Sequence, residues 1–240
     1  GADGAISAVR RLLQWEDPTR LARLLEVITP EISNDSHQDA AGEAYFDFHE
    51  MSEGLQGYYW DFPMQLDGKA CVNRGVFDSR FLPHPNRPSH RAILDAALQR
   101  RGLDRKDYQL KSHPIRWFDP ATPLSREGVL LVGDAAGTDP FLGEGIAFAL
   151  GYGRPAAETI HHGFKEGDLS FSDYKRNLMS ERIFRHLRLR RRLARFAYSP
   201  RAAWVTDSLW GLTRFVSRLT PWSDPSFQPL LGKRAQRYLQ

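Results

Sequence analysis

The chain has 240 residues and a mass of 27.4 kDa, enough for one large core or two modest ones. Hydrophobic residues at 41% beside 26% charged exclude a disordered or collagen-like chain. The single cysteine, Cys71, excludes an internal disulfide framework and a cysteine-rich zinc site and fits a reducing compartment, while no apolar run approaches the roughly 18 residues that cross a bilayer. The net charge of +4 is divided unevenly: 15 Lys+Arg face 3 Asp+Glu from Lys175 onward, whereas the residues before it carry 18 against 26. A basic tail on an acidic body points to an anionic partner for the tail alone.

In chain order, residues 5–28 read as a helix, with Ser7 as cap and Val9, Leu12, Leu13, Leu21, Leu24 and Leu25 at helical spacing. A polar loop follows over 29–42. Three strand-like runs come next, at 43–50, 56–62 and 69–77, and Asp67-Gly68 between the last two is a strong hairpin signal. They predict an antiparallel meander that keeps one face on a core and offers the other to a ligand. Residues 85–102 carry a helix with Ile93, Leu94, Ala97 and Leu98 on one face, and 109–117 are extended. The apolar run 128–134 reads as a buried parallel strand ending in Gly133-Asp134. A helix over 143–162 is interrupted near 151–154 by Pro155. A basic helix at 171–198 and a Trp-rich stretch at 202–222 close the chain.

Chemistry concentrates in the segment from Gly133 to Ile146. An apolar strand delivers Asp134 to its carboxyl end, where ligands of open α/β sheets bind, and a carboxylate there accepts hydrogen bonds from a sugar-like hydroxyl. Gly143 and Gly145 let backbone approach a ligand closely, and the following helix start offers unpaired N–H groups. An ordinary strand–loop–helix with packing glycines fits the spacing equally well. Tyr58, Trp60 and Phe62 alternate, so their rings share one face of a strand, either as core or as the wall of a slot for an apolar chain. His161-His162 is the sole adjacent His pair, no zinc spacing or Gly-x-Ser-x-Gly elbow occurs, and no metal site is expected. His49 reads as a packed or exposed strand residue. His113 and Arg116 approach the Gly-Asp strand. In the tail, Arg182, Arg185, Arg188, Arg190, Arg191, Arg192 and Arg195 interleave with Ile183, Phe184, Leu187, Leu189, Leu193 and Phe196. That pattern suits an anionic membrane surface, with Trp204, Trp210, Phe215 and Trp222 as interfacial anchors, or a helix packed on the acidic body. No nucleic-acid fold accompanies it.

The segment from Gly133 to Ile146 resembles the second FAD-contacting motif of the flavoproteins that include aromatic hydroxylases, flavin halogenases and geranylgeranyl reductases. The resemblance implies that Asp134, after Gly133, binds the flavin ribityl chain, and that Pro140, Gly143, Gly145 and Ile146 lie against the isoalloxazine ring. The opening residues resemble the same group's Asp-Gly motif, which implies that Asp3, Gly4 and Arg10 lie near the pyrophosphate and the nicotinamide entry side. Tyr58-Tyr59-Trp60-Asp61-Phe62-Pro63 resembles the Tyr-x-Trp-x-Phe-Pro signature of geranylgeranyl reductase-like enzymes, implying substrate roles for Tyr58, Trp60, Phe62 and Pro63. Two departures stand out. The usual Gly-x-Gly after the Pro is reduced to Gly75 at a longer interval, and the Gly-x-Gly-x-x-Gly that cradles the ADP half of FAD is not in this sequence. The chain therefore reads as a C-terminal portion of a larger flavoprotein, not expected to be active alone.

The fold class implied is α/β of mixed α+β character: a partial Rossmann-like FAD-binding domain (1–42 and 109–165), an inserted, largely antiparallel substrate domain (43–108) and a basic helical region (166–240). The activity implied is FAD-dependent reduction of C=C bonds of an isoprenoid lipid, with NAD(P)H or another reductant for the flavin. A flavin monooxygenase or halogenase of the same fold, or a non-catalytic membrane-associated remnant, are the alternatives. A cytoplasmic location, peripheral on the membrane through 182–222, is the matching expectation.

Overall fold

In a computed structural model, residues 1–15, 21–32 and 44–199 are described. After a one-turn-and-a-half helix α1 (Ala8–Leu12), five strands follow: β1 (Leu21–Pro30), β2 (Tyr45–Asp47), β3 (Gly57–Leu66), β4 (Lys69–Asp78) and β5 (Lys111–Arg116). They form one sheet in the order β2-β3-β4-β1-β5, every neighbouring pair antiparallel. The β3–β4 hairpin turns through Asp67 and Gly68 with φ of 51° and 75°. Both residues are left-handed, the twist-matched two-residue turn that Asp-Gly favours.

The sheet separates two cores. On one face Val27, Tyr59 and Val76 meet Ile93, Leu94, Ala97 and Leu98 of α2 (His90–Gln99), the four residues whose spacing marks the helix face. Beneath them, Asp61 is buried with Arg74 at 2.9 Å and Arg101 at 2.5 Å, and Tyr59 donates its hydroxyl to the same carboxylate. The other face carries Tyr58, Trp60 and Phe77 toward Phe81, Trp117 and Tyr198.

A helical layer builds a third core around Phe118, Leu131, Phe148, Tyr152, Tyr174 and Phe184. It contains α3 (Ile146–Gly151), α4 (Gly153–Glu166), α5 (Tyr174–Ser180) and α6 (Arg182–Ala197). The α3–α4 break falls at Tyr152, with Pro155 in the first turn of α4, where its missing N–H costs nothing. No helix among the described residues is long and apolar enough to cross a membrane.

Four elements differ from the sequence reading. The expected helix over 5–28 is confined to α1, and Leu21–Pro30 is instead a central strand, hydrogen-bonded on both sides by β4 and β5. Leucines at helical spacing also serve a strand flanked on both edges, and pairing overrides propensity there. The apolar run 128–134 supplies only β7 (Val129–Leu130), antiparallel to β6 (Ser125–Arg126), before a single 3-10 turn over Gly133–Ala135. A parallel element survives in part: Gly1 donates its amino group to Leu130 and accepts from Val132 N at 3.1 Å. The first strand-like run shortens to β2 and ends in a 3-10 turn, His49–Met51, with His49 exposed. The basic helix is two helices, α5 and α6, parted at the extended Glu181. The Trp-rich stretch 202–222 lies outside the described residues.

Asp78 closes β4 and ties the sheet to α2: it accepts from His90 Nε2 at 2.9 Å, from Arg87 at 3.3 Å and from the Gln56 and Arg80 amides. Burial alone raises its carboxyl, but these donors outweigh burial and hold it below its usual value of 3.8. A carboxyl depressed in the folded state stabilises above its unfolded value, and that contribution is lost as pH falls through the folded one. Asp78→Asn is expected to lower stability at pH 7 and to flatten the acid limb below about pH 4 in urea titrations across pH.

Candidate functional site

The aromatic strand and the glycine loop meet in one cavity. It has a volume of about 660 Å³ and is walled by Tyr58, Trp60 and Phe62 on the sheet side and by Leu142 to Ile146 on the loop side. Alternation along β3 puts the three rings on one face. Tyr58 and Trp60 ring centres lie 6.1 Å apart, Trp60 and Phe62 5.8 Å apart, and Phe46 from β2 lies 5.0 Å from Phe62. Pro63 is on the opposite face, exposed, and is not on the cavity wall.

Gly75, opposite Trp60 in register, explains how the indole lies flat across the sheet. A Cβ there would fall 2.3 Å from the Trp60 ring and 2.5 Å from the Leu25 carbonyl. The ring therefore reaches over β4, and its Nε1 donates to Asn73 Oδ1 at 2.9 Å. Gly143 plays the corresponding part on the loop: its φ is +72°, and a Cβ would meet the Phe77 ring at 2.7 Å. Both glycines allow a close approach that any side chain would block.

Asp139 organises the loop. Its carboxylate accepts from the Phe141 amide at 2.8 Å, the Leu142 amide at 3.1 Å and Arg190 of α6 at 2.6 Å. Carbonyls of the same loop are fixed by Ser79 Oγ on Pro140, Tyr198 on Phe141 and Tyr58 on Leu142, the last at 2.7 Å. Burial, and then the Asp139 charge, push the Tyr58 hydroxyl up to about 12, so it stays a donor.

The residues expected to touch a flavin divide into two groups. Gly143, Gly145 and Ile146 are on the cavity wall. Asp134 sits just behind them: a Cβ on Gly145 would lie 3.7 Å from Asp134 Oδ1, and one on Gly133 3.7 Å from Ala149. Burial raises the Asp134 carboxyl. Pro140 contributes backbone to the loop. Asp3, Gly4 and Arg10 are beside α1. Burial acts to raise the Asp3 carboxyl, yet Ser7 Oγ at 2.7 Å and the Val9 and Ala8 amides hold it low. Asp3 thus caps α1, Gly4 provides the left-handed turn before it (φ 82°), and Arg10 is buried with its charge near Tyr152. The glycine-lined backbone beside Asp134 fits a planar ring carrying a polyol chain.

Sequence reasoning missed Glu26, Asn73, Phe46, Phe77 and Arg190, all on the wall. Glu26 lay hidden in a stretch with helical periodicity. The remaining candidates lie off the cavity wall. Arg116 is buried and donates to the Ala5 carbonyl at 3.1 Å, and His113 is exposed, 3.5 Å from Glu26. Arg190 and Arg191 bind Asp139 and Asp119, so those two tail arginines pair with the acidic body.

This five-stranded antiparallel sheet facing a glycine loop and a helical layer is similar in fold to a structure of a geranylgeranyl bacteriochlorophyll reductase-like protein from Thermoplasma acidophilum, with a TM-score of 0.55 and 23% identity, over 75% of this chain and 45% of that one. By sequence, too, the chain is similar to proteins named as isoprenoid reductases. It is 34% identical to a digeranylgeranylglycerophospholipid reductase of Thermoplasma acidophilum over 151 residues, 60% of this chain and 37% of the relative. It is 32% identical to a menaquinone reductase of Mycolicibacterium smegmatis over 160 residues, 63% of this chain and 37% of the relative. The chain spans less than two thirds of the length of the curated relatives it matches. No family model matches it.

Two substitutions test the geometry. Gly75→Ala is expected to cost about 1–3 kcal/mol by overpacking and to shift the tryptophan emission as Trp60 is displaced. Asp139→Asn removes the charge that holds Arg190 and is expected to cost about 1.5–3 kcal/mol in denaturant unfolding.

Proposed function

We propose that this chain forms part of an FAD-dependent oxidoreductase that reduces C=C bonds of an isoprenoid lipid, contributing to both the flavin side and the substrate side. The observation that carries this reading is the junction of an aromatic, apolar slot with a glycine-lined loop in a single cavity. Both named relatives are reductases, of a digeranylgeranylglycerophospholipid and of menaquinone, which supports the reading. FAD, when bound, supplies the hydride. The chain's own residues do the rest. Asp134 accepts hydrogen bonds from the ribityl hydroxyls, and Gly143 to Ile146 present backbone to the ring face. Tyr58, Trp60 and Phe62 exclude water and align an isoprenoid chain. Residues 1–15 and 117–165 are assigned to the flavin side; the sheet, which takes in β1 and β5 from the segments expected on the flavin side, is assigned to the substrate side. NAD(P)H is the proposed source of reducing equivalents.

Asp134→Ala is expected to lower flavin occupancy, read as flavin absorbance per protein after gel filtration. Full occupancy with lost turnover would move Asp134 from binding to chemistry. Trp60→Ala is expected to leave a folded protein whose preference among isoprenoid chain lengths shifts. Unfolding by about 3–5 kcal/mol with unchanged preference would make Trp60 a core residue.

Peripheral membrane attachment is part of the same proposal. Arg182, Arg185, Arg188, Arg192 and Arg195 of α6 are exposed, as are Leu189, Leu193 and Phe196. Each basic residue near an anionic bilayer contributes about 1 kcal/mol, and the attraction is screened by salt. Co-sedimentation with anionic liposomes is expected to weaken with salt and to disappear when Arg185, Arg188 and Arg192 become Glu. Binding unaffected by those changes would exclude the helix as the membrane contact.

A further inference from the structure

Alternate positions of β3 make one unbroken apolar row, Tyr58, Trp60, Phe62, Met64 and Leu66, on the face that lines the cavity. Burial falls along it. Tyr58 and Trp60 are 8% and 4% exposed, Phe62 and Met64 are half-buried, and Leu66 is 45% exposed. Phe46 of β2, opposite Trp60 in register and packed on Phe62, is also 45% exposed. The deep end is shut: the Tyr58 hydroxyl is bonded to the Leu142 carbonyl, and the Phe77 ring lies close against Gly143. On the loop side, Gly143 to Ile146 are the backbone assigned to the flavin. A chain lying in the slot therefore has its way out along β3 to the hairpin tip, about 26 Å from Tyr58 to Leu66 at the rise of a β-strand. The tip is small and balanced in charge. Residues 65–70 are all exposed, and their two charges, Asp67 and Lys69, are of opposite sign. A stable protein interface takes about 20–30 residues a side, so this tip alone does not seat a folded partner. Exposed large apolar side chains that continue the wall of a lipid slot fit a membrane contact.

We infer that the β3–β4 hairpin tip and the adjoining edge strand β2 form the entrance by which the lipid reaches the slot, and that Leu66 and Phe46 enter the apolar part of a bilayer to bring the slot onto the chain. The inference rests on the slot reading given above. The isoprenoid passes end-first along β3 without crossing water. Its polar end, which an apolar row does not solvate, stays behind at the bilayer surface. This contact is separate from the one proposed for α6: it is apolar and works without charge, whereas attraction to the arginines is screened by salt.

The test uses the flavin-loaded protein and changes at exposed positions. Vesicles of phosphatidylcholine and phosphatidylglycerol, with part of the lipid brominated on its acyl chains, are expected to quench the added emission of Leu66→Trp and to spare that of Lys165→Trp on α4. Geranylgeraniol binding is read as quenching of the Trp60 signal, the part of the emission lost in Trp60→Phe. Leu66→Asp is expected to keep the melting midpoint and the affinity for geranylgeraniol presented in neutral detergent. It is expected to slow transfer of geranylgeraniol from vesicles about tenfold, because lipid expels a carboxylate. Absent quenching at 66, quenching equal at 66 and 165, or an unaltered transfer rate in Leu66→Asp would overturn the inference and leave the slot reading standing. So would equal losses from detergent and from vesicles, which would make Leu66 part of the slot itself. A dimer in gel filtration that Leu66→Asp dissolves would also overturn it, making the tip a contact between copies. If geranylgeraniol in detergent leaves the Trp60 signal unchanged, the slot reading itself fails and this inference goes with it.

Discussion

The carboxylate of Asp139 is the point on which the site depends. Its side chain is fully buried, and it binds two amides of its own loop and one arginine of α6. A buried carboxylate is tolerable only when its lone pairs are occupied, and here each donor comes from a part of the molecule that must be placed correctly. Loop and helical layer are thereby located relative to one another. The hydroxyls of Tyr58, Ser79 and Tyr198 then fix the neighbouring carbonyls, so the loop presents Gly143 and Gly145 in one conformation. Small residues at a binding surface are useful only if something else holds them still, because glycine loses most freedom on ordering.

This arrangement also accounts for the two sides of α6. Its inner residues, Phe184, Leu187 and Ala194, are buried, and Arg190 and Arg191 reach acidic partners on the body. Its outer face keeps arginines and large apolar side chains together. A count of charge in the tail cannot separate these populations, since helical period sorts them by direction and not by type. The helix is therefore both a brace for the loop and the surface proposed to meet lipid.

Much of the fold was legible because local chemistry and tertiary pairing agree. Asp67-Gly68 between alternating runs defines β3 and β4, and Ile93, Leu94, Ala97 and Leu98 define the buried face of α2. Agreement failed at Leu21–Pro30, where leucine spacing suggests a helix and the free edges of β4 and β5 impose a strand. The site followed the same division. Tyr58, Trp60 and Phe62 lie on one strand face, a property of period two, and Gly143 and Gly145 belong to a local motif. Glu26, Asn73 and Arg190 join them only through register and helix packing, which no spacing along the chain encodes.

Gly75 and Trp60 occupy one volume between them. The indole fills part of the space a side chain at 75 would take, and the Leu25 carbonyl, 2.5 Å from where a Cβ would fall, closes the rest. A smaller residue at 60 would remove only the first obstacle, because the second is backbone of the paired strand. Glycine at 75 should thus persist wherever β1 and β4 pair as they do here, while the residue at 60 is free to shrink over it. The dependence between the two positions runs one way, from the large ring to the glycine.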